Sequence, residues 1–193
     1  MIIVDGKGTG SKSRVDGNNR LHVQSVIEYE GVHAIEVGNA YNINTGNLSY
    51  SAAGTMLYLL NNEDKNLVVE TLAVGIGTGT VSDIPEITVI RNPTGGDLIS
   101  DQTAVSINQN RNAGSTKTLS ATVYSGKSSG TITGGNDWLY FYQNITGRLA
   151  ASINLYVPKG SSIAIKIDPK LSAGTVKAYA ALVCYLKDPE SSD

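Results

Sequence analysis

The sequence has little of what several classes of protein require. It contains a single cysteine, Cys184, so no disulfide can form within the chain, and we expect folding in a reducing cytoplasm. No apolar run approaches the ~18 residues of a transmembrane helix. The first segment, MIIVDGKG, lacks the basic and apolar regions of a signal peptide. The net charge of -2 gives no general attraction to nucleic acid or to anionic lipid, so we expect neither as a partner.

Charged residues are also scarce, and this favours strands over helices. Asp, Glu, Lys and Arg make up only 17% of the chain, whereas glycine occurs 21 times. Helices of soluble proteins expose many charged side chains, and no stretch of about 11 residues or more has the 3.6-residue period of an amphipathic helix. Turns rich in Gly, Ser, Thr and Asn separate β-branched segments instead. The composition therefore predicts an all-β protein.

Roughly ten segments have the alternation or the β-branched composition of strands, at spacings of about 8–15 residues. They are RLHVQSVIEY, GTMLYLLN, NLVVETLAVGIG, PEITVIRN, TAVSINQ, KTLSATVYSG, WLYFYQN, RLAASINLYVPKG, SSIAIKID and GTVKAYAALVCYLKD. The polar turn NEDK, between the second and third of these, predicts a hairpin or two adjacent strands. The spacing predicts a jelly-roll-like antiparallel β-sandwich over residues 23–188. An extended N-terminal arm (residues 1–22) precedes the sandwich, and a polar tail (residues 189–193) follows it.

The glycine-rich segment DGKGTGSKSRVDGNNRLHV does not fit three familiar kinds of site. Its glycines follow G-x-G-x-G with no helix expected after them, unlike a dinucleotide-binding loop. The third ligand position of an EF-hand would be Lys7, a cation. Residues 1–20 carry four cations and two acids, a weak surplus for a nucleic-acid arm, and no aromatic residue is interleaved. We expect instead a flexible arm that docks on a partner protein. Its candidate contact residues are Asp5, Gly6, Lys7, Gly8, Gly10, Lys12, Arg14, Asp16 and Arg20.

The segment DWLYFYQN holds four aromatic residues within five positions, from Trp138 to Tyr142. Strict alternation places Trp138, Tyr140 and Tyr142 on one face of the strand, and Leu139 and Phe141 on the other. Three interpretations remain open for the aromatic face. It can be a subunit interface, where Trp and Tyr anchors are favoured, a platform on which a sugar stacks, or ordinary packing beneath a loop.

The sequence shows no catalytic motif. The nucleophile elbow G-x-S-x-G is absent, and the two histidines, His22 and His33, lack the spacing of metal ligands. Carboxylate pairs such as those of glycosidases meet in space rather than in sequence, but the few acidic residues fall mostly in turns. We therefore expect no enzymatic activity, no catalytic or metal-binding residue and no cofactor.

Several stretches resemble structural proteins of tailed bacteriophages. DGKGTGSKSRVDGNNRLHVQSV is similar to an N-terminal segment found in a range of virion proteins, in which D-G-x-G-x-G is followed by V-D-x-N-N-R-L-x-V. AVGIGTGT, ITVIRNPTGGDLIS, NQNRNAGSTKTL and VPKGSSIAIKI resemble one group of small phage structural proteins. These stretches are spread from residue 5 to residue 167, so the match would cover most of the chain.

The resemblance implies a virion component that is made in the host cytoplasm and located at the capsid surface. The most specific expectation is a decoration (cement) protein that binds the major capsid protein, or another virion protein, and stabilises the assembled head. Jelly rolls of this size often decorate shells at threefold positions, so a homotrimer is expected. The alternative is a receptor- or carbohydrate-binding module associated with the tail or a fibre.

Overall fold

Two antiparallel β-sheets stacked on one another form the body of the protein. The computed structural model describes residues 3–4, 12–15, 21–22, 29–96, 103–104, 109–126 and 132–189. Its elements, in chain order, are β1 (Ile3–Val4), β2 (Lys12–Val15), β3 (Leu21–His22), α1 (Glu30–Glu36), β4 (Ala40–Asn44), β5 (Leu48–Tyr50), β6 (Gly54–Asn61), β7 (Asn66–Ile76), β8 (Thr80–Val81), β9 (Glu86–Arg91), β10 (Gly95–Gly96), β11 (Thr103–Ala104), β12 (Gln109–Asn110), β13 (Ala121–Ser125), β14 (Ile132–Thr133), β15 (Asn136–Tyr142), β16 (Arg148–Val157), β17 (Ser162–Asp168), β18 (Leu171–Ala173) and β19 (Val176–Lys187).

The strand order of the two large sheets confirms the prediction of an all-β sandwich. We call them sheet A, with the order β11-β13-β6-β17-β9-β15, and sheet B, with the order β12-β4-β19-β7-β16. Strand β5 also pairs with β19 in sheet B. The sheets do not close into a barrel, so each keeps two edge strands. Three smaller pairings, β1-β2-β3, β10-β14 and β8-β18, complete the topology.

Four nested strand pairs give the sandwich its jelly-roll character. Strand β6 pairs with β17, β7 with β16, β9 with β15, and β10 with β14, all antiparallel. The chain thus forms a long two-stranded ribbon, and its folding places the first and third pairs in sheet A and the second in sheet B. The same folding corrects the prediction for the turn NEDK. Strands β6 and β7 are not a hairpin, because the chain passes from one sheet to the other at this turn.

The hydrophobic core lies between the two sheets. Ile163, Ile165 and Ile167 of β17 face it together, as their alternation predicts, and they belong to the same buried cluster as residues of sheet B such as Leu72. Burying each such aliphatic side chain contributes about 1.5–3 kcal/mol before the cost of ordering the chain. A second, smaller cluster covers part of the outer face of sheet A, around Tyr58 and Ala164.

Three local features were not expected from the sequence. Helix α1 has only 7 residues, which is too short to show a period, and Lys187 of β19 joins it to sheet B through an ion pair with Glu30 (Nζ–Oε1 3.0 Å). Strands β4 and β5 were not predicted, because both are short and partly polar. In its described residues, the segment TAVSINQ, expected to be one strand, begins with β11 in sheet A and ends with Gln109 of β12 in sheet B.

The predicted arm contributes three short strands. Strand β1 pairs with β2, and β2 pairs with β3, so the described parts of this segment fold back on one another. Residues 23–28 and the tail residues 190–193 lie outside the described parts of the chain. The predicted boundary between arm and sandwich therefore stays a prediction.

Candidate interaction surface

The edge strands β15 and β16 lie on the same side of the sandwich. Strand β15 ends sheet A, β16 ends sheet B, and a short turn over residues 143–147 joins them. Within the described residues, neither strand has a second hydrogen-bonded neighbour. We call this surface, formed by the two strands and their turn, the open side. Unpaired sheet edges present rows of backbone donors and acceptors that can bind another strand.

The hydrogen bonds of β16 show which of its backbone groups face outward. The Ile76 amide donates to the Gly147 carbonyl (3.1 Å), so Gly147 points its backbone toward β7. Because successive residues of a strand point their backbone groups to opposite sides, Arg148, Ala150 and Ser152 direct theirs away from β7. No strand in the described parts of the chain pairs with these outward groups, and we call the three residues the free backbone row of sheet B.

The same argument applies to β15 in sheet A. The Gln143 amide donates to the Pro85 carbonyl (3.0 Å), and Tyr142 stands opposite Glu86 in the same register. Tyr140 and Tyr142 therefore direct their backbone groups away from β9. Both sheets thus offer unpaired backbone groups on the open side.

The composition of β16 is unusual for an exposed edge strand. Natural proteins commonly protect such edges with lysine or other charged residues, or with proline. In β16 the only charged residue is Arg148 at its beginning, and residues 149–157 carry none. The inward side chains of Leu149, Ala151 and Ile153 are only half-buried, whereas Leu155 farther along is buried. This lack of charge was visible in the sequence, but its meaning depended on knowing that β16 is an edge.

A β-bulge corrects the predicted face of Trp138. Asp137 stands opposite Ile90 and Leu139 opposite Val89, so Trp138 is an extra residue without a cross-strand partner. The indole packs against the main hydrophobic core, as do Leu139 and Phe141. The prediction that Trp138 shares one face with Tyr140 and Tyr142 was therefore wrong, because the bulge interrupts the alternation between them.

Tyr140 and Tyr142 remain on the surface of β15. Their side chains are 53% and 70% exposed. The Tyr140 hydroxyl donates a hydrogen bond to the Asp137 carboxylate, and this bond is the main reason why the pKa of Tyr140 is raised. The pair offers two aromatic rings and a carboxylate to a partner, which suits contacts with protein as well as with sugar.

Arg91 extends the surface beyond Trp138. Its guanidinium carbon lies 5.9 Å from the centre of the indole ring, within the range of a cation–π interaction. Beside it a pocket of about 400 Å³ is lined by residues of both sheets, among them Asn92, Asn136 and Tyr156. One face of the indole is therefore covered by Arg91, which leaves that face unable to stack on a sugar.

The arm residues can be placed only in part. Lys12 and Arg14 belong to β2. The other candidate contact residues lie outside the described residues, namely Asp5, Gly6, Lys7, Gly8, Gly10, Asp16 and Arg20. Their predicted role in docking stays a prediction.

The histidines and acidic residues do not form a metal centre in the described parts of the chain. No three His, Cys, Asp or Glu side chains come together there in a group that could hold an ion. His22 belongs to β3, and His33 lies on α1 beside a pocket of about 550 Å³ that Lys187 also lines. None of the helices in these ranges has the length and hydropathy needed to cross a bilayer.

Comparison with protein-family models and with curated proteins assigns the chain to no family. No protein-family model matches the sequence, and a search of curated proteins finds no match.

Proposed function

We propose that the protein is a structural component of a bacteriophage particle that decorates the capsid. The observation that carries this proposal is the open side, where two unpaired sheet edges lie beside the exposed Tyr140 and Tyr142. Such a surface suits binding to protein, since strand addition supplies backbone hydrogen bonds and tyrosines supply anchors. The arm and four further stretches resemble phage structural proteins, and this resemblance indicates that the partner is a protein of the phage particle.

The proposed mechanism is mass action. A protein that binds the assembled shell, but not its separate subunits, shifts the equilibrium toward the shell. At a free concentration of 100 times the dissociation constant, each occupied site contributes about 2.7 kcal/mol. The partner is the major capsid protein or another virion protein. A homo-oligomeric decoration, with the predicted homotrimer as one form, would multiply the contacts of each copy with the shell.

A binding experiment with two states of the shell tests the proposal. Purified protein is added to undecorated capsids of its phage and, separately, to dissociated capsid subunits. We expect cosedimentation at a fixed stoichiometry with the capsids only, and a higher melting temperature of the decorated particles. Equal binding to free subunits, or binding confined to isolated tails, would contradict the proposal.

A second candidate is a receptor- or carbohydrate-binding virion module. It is favoured by the exposed rings of Tyr140 and Tyr142 beside the Asp137 carboxylate. Aromatic rings flanked by carboxylates or amides are a common setting for sugar recognition. Specific retention on host surface polysaccharide, abolished by Tyr142→Ala, would favour this candidate over the decoration protein.

A further inference from the structure

We propose that β16 pairs with β16 of a second copy, antiparallel, about a twofold axis at Ala150. The inference goes beyond the proposed function, because it requires no particle and concerns the free protein. It rests on the free backbone row of Arg148, Ala150 and Ser152 and on the lack of charge over residues 149–157.

The position of the axis follows from the irregularities of β16. The turn over residues 143–147 precedes the strand, and its pairing with β7 becomes irregular after Ser152, where Asn154 has a φ of 45°. The regular part with outward backbone groups is therefore Arg148–Ser152, and Ala150 is its midpoint. A register centred there pairs the whole regular part of one copy with that of the other. A shift in either direction brings the turn or the bulge into the ladder.

The side chains are compatible with this register. Ala150 stands opposite Ala150 of the second copy, and Arg148 stands opposite Ser152, so no two like charges face each other. A register centred on Arg148 would oppose two arginines. On the inner face, Leu149 meets Ala151 of the second copy. Pairing thus covers two of the apolar side chains that the single chain leaves half-buried.

The self-pairing also affects the second open edge on this side of the described sandwich, that of β15 in sheet A. A twofold axis through β16 makes sheet B continuous across the two copies and brings the two β15 edges toward each other in the second layer. Tyr140 and Tyr142 then flank the axis, where exposed tyrosines can act as anchors. A threefold axis cannot use this side in the same way, because each copy would need a second, different surface to complete the ring.

A charge-exchange experiment tests the register. Ala150 is exposed, so Ala150→Glu and Ala150→Lys leave the fold of the single chain intact. Each variant alone places two like charges opposite each other at the axis. We therefore expect the dissociation constant of its dimer to be at least about tenfold higher than that of the wild type. An equimolar mixture of the two variants should restore the dimer as a heterodimer. Sedimentation velocity and native mass spectrometry measure both effects.

The matched control places the same charges elsewhere. Ala113 is exposed in a turn outside β16, so Ala113→Glu and Ala113→Lys should dimerise like the wild type and show no preference for each other. The proposal is overturned by a wild type that stays monomeric at high micromolar concentration. It is equally overturned by a trimer, or by Ala150 variants that dimerise unchanged. Binding to capsids is measured separately for each variant, because a dimer that occupies the open side leaves the arm as the candidate contact with the shell, whereas a monomer leaves the open side free.

Discussion

The buried side-chain amide of Asn61 connects the β6–β7 turn with the end of β16. Its side chain is fully buried, and its Nδ2 donates to the carbonyls of Lys65 (2.9 Å) and Val157 (2.8 Å). Its Oδ1 accepts from the Glu63 amide (2.9 Å). The amide thus satisfies backbone groups both in the β6–β7 turn and at the end of β16. Buried polar groups stabilise only when they are satisfied in this way.

Replacing this amide by a carboxylate should destabilise the protein strongly. Asn61→Asp removes both donors and places a carboxylate oxygen against two carbonyl oxygens in a buried site. We expect a loss of about 3 kcal/mol in the free energy of unfolding. Denaturant unfolding measures it. Asn62→Asp is the matched control, since Asn62 is exposed and its partner, the Thr122 hydroxyl, can donate to a carboxylate. Equal effects at the two positions would contradict the prediction.

The buried thiol of Cys184 should make stability depend on alkaline pH. Burial raises its pKa to about 12, whereas an unfolded cysteine titrates near 8.5. Between these values the folded state holds a proton that the unfolded state has lost. The thiol's contribution to stability is therefore complete below about pH 8.5 and decreases as the pH rises toward 12.

Two measurements check this behaviour. In the native protein at pH 8, Cys184 should not react with a thiol reagent until the chain unfolds. Between about pH 9.5 and 11, the free energy of unfolding should fall less steeply in Cys184→Ala than in the wild type, by up to about 1.4 kcal/mol per pH unit. Rapid labelling of the native protein, or identical slopes, would show that the thiol is not protected.

At the scale of elements, the long strands were predictable one by one, whereas the short strands β4 and β5 and the pairing partners of all the strands were not. Strands β6 and β17 are apolar runs with clear boundaries in the sequence. Their observed ends lie at or within one residue of the ends of the predicted segments GTMLYLLN and SSIAIKID. Both faces of β6 are nearly continuous in apolar residues, so its pattern could not show that the next strand belongs to the other sheet. Pairing between β9 and β15 is decided by residues far apart in the chain, and so is the bulge at Trp138.

The bulge changes what a substitution of Trp138 should do. Because the indole packs on the core and beneath Arg91, Trp138→Ala should lower the free energy of unfolding by about 1–3 kcal/mol even in a single chain. Tyr142→Ala should leave the stability of the single chain within about 0.5 kcal/mol, since this ring is exposed. Thermal unfolding under dilute conditions compares the two. An unchanged melting temperature of Trp138→Ala, together with lost binding to polysaccharide, would support a sugar platform instead.

At the scale of the whole molecule, the nested pairs separate the sandwich from the segment before it. Each strand of the ribbon finds its partner within residues 54–168, and β4, β5 and β19 complete sheet B from both ends of the chain. In the described residues, β1, β2 and β3 pair only with one another. The predicted docking arm therefore lies in a segment that the described sandwich does not use for its own strand ladders.

Deleting residues 1–20 should separate folding from docking. We expect the shortened protein to keep the melting temperature of the full chain within a few degrees, because no described sandwich strand loses a partner. If the arm docks on the shell as we propose, binding of the shortened protein to undecorated capsids should be lost, because the deletion removes the backbone groups and the cations that the arm would present to the shell. A full-length variant with Lys7, Lys12, Arg14 and Arg20 replaced by glutamine distinguishes the two contributions. If charge dominates, this variant binds as poorly as the deletion, and if backbone pairing dominates, it binds nearly as well as the wild type. Undiminished cosedimentation of the shortened protein with capsids would remove the docking role of the arm and leave the open side as the candidate contact.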